Sequence, residues 1–128
     1  MEPNEIVTRT AITRLGPDGL VRVTTLPGSD QVLADAQDNM RALEALAKEK
    51  PRPMLLDIRQ MKSQNRESRL FYGRPENTRM VKAVAIVVDS PMSRVFGNFV
   101  MGFSKASSPT RLFTSEAEAE TWLRSFVE

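Results

Sequence analysis

Neither cysteine nor histidine occurs anywhere in this chain of 128 residues. Without cysteine there is no disulfide, no thiolate nucleophile and no sulfur metal site, a composition that fits the cytosol. Without histidine no imidazole can act as general base, orient a triad or ligate zinc. No apolar run approaches the roughly 20 residues that a membrane helix needs. The opening "MEPNEIVTRT" is polar and acidic, so no signal peptide is expected. Glycine is sparse, and no G-x-G-x-x-G, G-x-x-x-x-G-K-[ST] or H-E-x-x-H occurs. Carboxylates and lysines remain for catalysis. Asp57 and Glu67 can be imagined as an acid/base pair, but such a pair needs a substrate cleft between its members. Asp57 is instead expected to accept backbone hydrogen bonds at a strand end. We therefore expect no catalytic residue, no cofactor and no metal, in one cytoplasmic domain spanning residues 1–128.

What is present is a chain with 41% hydrophobic and 27% charged residues, the balance of a soluble globular domain. Its net charge is only +2, but the charge is uneven. Residues 1–51 carry −2, residues 52–82 carry +5 and residues 83–128 carry −1. The basic middle segment reads first as a solvated helix face and loop. Its functional reading is an anion-facing loop made by Arg59, Lys62, Arg66 and Arg69. Specific nucleic-acid binding is not expected, because Phe71-Tyr72 is not interleaved with bases as a stacking platform would be.

Periodicity supplies the elements. "IVTRTAITRL" (6–15) alternates as a half-buried strand, "GPDG" (16–19) turns the chain, and "LVRVTTL" (20–26) completes a hairpin. A helix is expected from Asp30 or Gln31 to Glu49. Leu33, Ala36, Met40, Leu43 and Ala47 form its apolar stripe, and Asp35, Asp38, Arg41, Glu44 and Lys48 form the opposite face. "MLLDI" (54–58) suits a strand covered on both faces. Asn65 then caps a short helix with Leu70 and Phe71 facing inward, interrupted at Gly73 and Pro75. "VKAVAIVVD" (81–89) is the most apolar strand and should be central. Ser90 and Pro91 open a third helix, "SPTRLFT" holds a last strand, and Ser115 with Glu118 fits a capping box for a final helix. Ala119, Trp122, Leu123 and Phe126 form that helix's inner face. The order is β-β-α-β-α-β-α-β-α. It implies an α/β fold with a mostly parallel sheet of about five strands and one antiparallel edge strand.

That order, with an apolar strand ending in Asp57, resembles the STAS domain of bacterial anti-sigma-factor antagonists. "RLFTSEAEAETWL", "LLDIRQMKS" and "SPMSRVFGNF" are similar to the STAS-like branch related to CRAL-TRIO lipid-transfer domains. The likeness spans about residues 6 to 126. It implies a regulatory or binding module rather than an enzyme. Antagonist STAS domains carry a phosphorylatable serine, within Asp-Ser-Ser-Gly, at the cap of the helix after the Asp-ending strand. The matching positions here are Asn65, Arg66, Glu67 and Ser68, so the acceptor serine and the glycine are both absent. Ser63 and Ser68 lie nearby, displaced from that position, and are expected to have ordinary capping or surface roles.

The third helix carries more apolar surface than one sheet contact requires, through Met92, Val95, Phe96, Phe99, Val100, Met101 and Phe103. The surplus can pack under the last helix, meet a second subunit or line a lipid-sized pocket. Phe96, Phe99, Val100 and Phe103 are thus the candidate interaction surface. The expected partner is a protein or a second copy of the chain. The alternative is a carrier of a lipid or small apolar ligand, with its pocket under the third helix.

Overall fold

In the computed structural model, which describes residues 4–48, 50–89, 93–94 and 108–127, alternation and capping become one six-stranded sheet with helices on both faces. The strands run β1 (Glu5–Val7), β2 (Ala11–Leu15), β3 (Val21–Thr25), β5 (Arg52–Asp57), β7 (Val81–Val87) and β8 (Thr110–Phe113), in that spatial order. The pairs β1/β2 and β2/β3 are antiparallel, and the remaining three pairings are parallel. A separate two-residue bridge joins β4 (Asp30–Gln31) to β6 (Ser63–Gln64) in parallel. The helices are α1 (Leu33–Ala47), α2 (Arg66–Tyr72), α3 (Pro75–Thr78) and α4 (Glu116–Arg124). The mostly parallel α/β sheet with its N-terminal hairpin is the architecture that the element order implies.

Alternation along the strands sorts the core onto two faces. Val21, Val23, Val84 and Ile86 pack with Met40 and Leu43 of α1 on one face. Leu55, Ala83, Ala85 and Val87 pack with Ala119 and Leu123 of α4 on the other. Trp122 and Phe126 complete that second layer, as the inner face of the final helix requires. Ser115 caps α4 by accepting from the Glu118 amide. β7 is hydrogen-bonded on both sides and buried along nearly its whole length. Its near-continuous apolar run follows from being covered on both faces.

Three local expectations change. The expected single strand 6–15 folds back on itself, with Ile6 opposite Thr13 and the Thr8 amide donating to the Ala11 carbonyl. Alternation persists through the reversal, so period alone cannot show it. The first helix starts later, because Asp30 and Gln31 are recruited into the bridge with Ser63 and Gln64. Leu70 points outward, 40% exposed, while Phe71 packs inward as expected. A seven-residue helix packed against α1 buries too narrow a stripe to enclose both. The "GPDG" turn behaves as read, with Gly19 at φ +86°. Of the third helix, only Ser93 and Arg94 fall among the described residues. Phe96, Phe99, Val100 and Phe103 lie outside them.

Candidate functional site

The strand-to-helix junction after β5 is built from Asp57, Arg59, Asn65 and Ser68. Asp57 ends β5 and accepts the Arg59 amide at 3.0 Å, as a strand-end aspartate should. Its carboxylate also holds the Arg59 guanidinium through two contacts, at 3.0 and 2.7 Å. Arg59 reaches on to Glu116 at the start of α4, at 3.2 Å. This arginine is thus neutralised by two carboxylates and joins the sheet end to the last helix. Lys62 and Arg66 are exposed, whereas Arg69 donates to the Gln64 carbonyl beside the core. The four basic residues therefore stand in different surroundings.

Asn65 caps α2 by accepting the Ser68 amide at 2.9 Å. Ser68 is fully buried, and its hydroxyl donates to the Asn65 carbonyl at 2.9 Å. Capping and enclosure thus occupy the place where a STAS antagonist would present its serine.

A second feature lies between α1, α2 and the sheet: a cavity of about 100 Å³. Its walls are apolar, from Val23, Met40, Leu43, Met54, Leu56 and Val84. One end is polar. There Thr8 accepts the Ala11 amide and donates to Asn39 Oδ1, and the Asn39 amide nitrogen donates to Tyr72 at 3.1 Å. Tyr72 donates to Gln31 Oε1 at 3.0 Å, which also accepts from Gln64 Nε2 at 3.3 Å. The β4–β6 bridge holds Gln31 and Gln64 side by side. Sequence reasoning missed this group. The available signal was Asn39, a polar residue three positions from Ala36 and four from Leu43 on the apolar stripe of α1. Among the described residues no cluster of three or more acidic side chains has the arrangement of a metal site.

A family model described as a domain of unknown function (DUF7793) matches residues 15–127. The chain belongs to the DUF7793 family. No curated protein matches this DUF7793 chain. Among solved structures, it is similar to a Shewanella loihica PV-4 protein of the DUF3478 family, described as having a SpoIIAA-like fold. That likeness has 14% identity and a TM-score of 0.61, over 93% of this chain and 90% of the other. An anti-sigma factor antagonist from Mycobacterium paratuberculosis shows 16% identity and a TM-score of 0.61, over 90% of this chain and 93% of that one. A protein of unknown function from Arthrobacter sp. FB24 is 35% identical over 87% of this chain and 96% of its own, with a TM-score of 0.35. The DUF7793 chain therefore has the STAS-like, SpoIIAA-like fold that its element order and motifs resemble.

The polar end of the DUF7793 cavity makes a spectroscopic prediction. Burial pushes the Tyr72 hydroxyl up to about 12, against the hydrogen bond from Asn39. A raised acid pKa means that the neutral phenol is favoured by folding. Its contribution is complete below the unfolded value near 10 and is lost as pH rises through about 12. Tyr72 is the sole tyrosine, so tyrosinate absorbance reports on it alone. We expect its midpoint well above 10 while the fold persists. An ordinary midpoint in folded protein would show a hydrated hydroxyl and break the network.

Proposed function

We propose that this domain is a non-catalytic regulatory module of the cytoplasm that binds a protein, its first partner being a second copy of itself. The observation that carries the reading is the capped junction at Asn65–Ser68. An anti-sigma factor antagonist shares the fold. At the position the resemblance assigns to a phosphorylated serine, this chain has a capping asparagine and an enclosed Ser68. A kinase needs an accessible hydroxyl, so binding here is governed by surface shape and charge rather than by phosphate. Arg66 and Leu70 stand one turn apart on α2 and are both exposed, an apolar contact beside a cation.

Self-pairing is supported by the apolar surplus at Phe96, Phe99, Val100 and Phe103. In a two-fold dimer the same patch meets itself, and large aromatics carry most of the interface energy. Light scattering on the purified protein tests this. Wild type is expected to be dimeric, and Phe99→Glu or Phe103→Glu is expected to give a folded monomer. A wild type that stays monomeric at high concentration overturns self-pairing. Stoichiometric phosphate on Ser63 or Ser68, in protein from its native cells, overturns binding without a phosphate switch. A second reading, a carrier of a small apolar ligand, is favoured by the cavity beneath α1.

A further inference from the structure

We infer that the outer edge of β8 takes an extended segment of a partner protein as a further strand of the sheet, and that a carboxylate of that segment meets Arg111. The inference rests on the reading that the domain binds proteins. It adds a surface and the chemistry of the partner.

The edge comes first. β8 is the last strand of the six-stranded sheet. The carbonyls of Pro109 and Phe113 accept the Val84 and Val88 amides. Backbone groups alternate in direction along a strand, so those of Thr110 and Leu112 point away from β7. Among the described residues no backbone group pairs with that outer edge. An open edge pairs with an extended peptide through the main chain, and pockets beside it select among the alternate side chains.

A notch beside the edge supplies the selection. It is lined by Phe113, Ala117 and Trp122 together with Arg111, Glu118 and Thr121. The Arg111 guanidinium lies over the rings of Phe113 and Trp122, 5.2 and 5.6 Å from their centroids. Stacking holds the side chain in place before any partner arrives and leaves its in-plane N–H fork open to a carboxylate. Arg111 is exposed, and among the described residues it forms no ion pair or hydrogen bond through its side chain. Arg9, Arg14, Arg22 and Arg59, by contrast, are each held by a carboxylate. Arginine beside tryptophan is also the composition of binding hot spots. Glu118 lines the same notch and repels a second acid, so the segment carries its carboxylate at Arg111 alone. A nucleic acid could stack on Trp122, but its backbone has no amide ladder to match a strand edge.

The test uses the full chain and three capped heptapeptides of alternating threonine and valine, with glutamate, glutamine or lysine at the centre. Trp122 is the sole tryptophan, so its emission reports on the notch. The glutamate peptide is expected to bind about tenfold more tightly than the glutamine peptide, the scale of one charge-assisted contact. The lysine peptide should be the weakest. In Arg111→Gln the glutamate preference should fall to within about twofold, since the charged fork is gone. Thr110→Pro places a ring on the outer edge at the first residue of the strand, where proline is tolerated, and should weaken all three peptides. Equal binding of the three by wild type overturns the acidic selection. Unchanged binding in Thr110→Pro overturns strand addition. Emission that moves with a thymidine oligonucleotide and with no peptide overturns the choice of a protein segment. No response to any probe overturns the surface itself and leaves the self-pairing reading, tested by light scattering, standing. The comparison on wild type decides the matter even if Thr110→Pro does not fold.

Discussion

Ile86→Ala is expected to lower the stability of the domain by about 3–5 kcal/mol, the upper range for removing a fully buried branched side chain. Ile86 has no exposed surface and sits near the C-terminal end of β7, opposite Leu56 on one neighbour and Leu112 on the other. Its side chain belongs to the layer under α1, with Val23, Met40 and Leu43. Strands on both sides limit the collapse that would otherwise refill the space, so the cavity term persists alongside the transfer term. Chemical denaturation with a two-state fit measures this as a lower midpoint at unchanged slope. Val7→Ala is the control. Val7 is 61% exposed on the edge strand, and its loss should stay within about 0.5 kcal/mol. Comparable losses for the two variants would mean that β7 is not central.

Asp35→Ala should cost about 3 kcal/mol, because it removes several charge-assisted bonds at one buried site. Asp35 is 5% exposed and grips Arg9 through Nε at 2.9 Å and Nη2 at 2.6 Å. The same carboxylate accepts the Val32 amide at 3.0 Å and so closes the N-terminus of α1. One side chain therefore fastens the β1–β2 reversal to the helix and supplies the helix cap. Arg9 is 58% exposed and regains water when the pair breaks, which keeps the loss below that of a stranded buried charge. Asp30→Ala removes only an exposed contact at 3.3 Å and should cost no more than about 1 kcal/mol.

The pH dependence has a definite sign. The Arg9 guanidinium, more than any other neighbour, holds the Asp35 carboxyl below its ordinary value, against the effect of burial. The stabilisation is present above the unfolded value near 3.9 and is lost as pH falls through the depressed folded value. Asp18, held down chiefly by Arg22, adds a loss of the same sign. Asp35→Asn should therefore be less stable than wild type at neutral pH and converge toward it in acid. A constant difference across that window would show that the charge on Asp35 contributes nothing.

Most of the fold could be read from local pattern, for a physical reason. Strand and helix periods report which side chains share a face, and caps report where backbone groups run out of partners. The apolar run 81–89, the Gly19 turn, the Asn65 cap and the inner face of the last helix are all signals of that kind. The loss of the switch serine was equally local, since it needs only residues 65–68. The absence of histidine and cysteine belongs to composition and needs no structure.

The tertiary structure decided where one local pattern admits two outcomes, or where distant residues meet. Alternation through residues 6–15 is the same whether the strand continues or folds back, and the Thr8–Ala11 turn with the Arg9–Asp35 pair chooses reversal. Asp35 stands on the polar side of its own helix, and only the approach of Arg9 from another element makes its burial tolerable. The chain from Thr8 through Asn39, Tyr72 and Gln31 to Gln64 draws on five segments. No spacing along the sequence encodes such a network, because hydrogen-bond partners are chosen by strand register and helix docking. The network therefore exists only once the sheet, α1 and α2 are assembled.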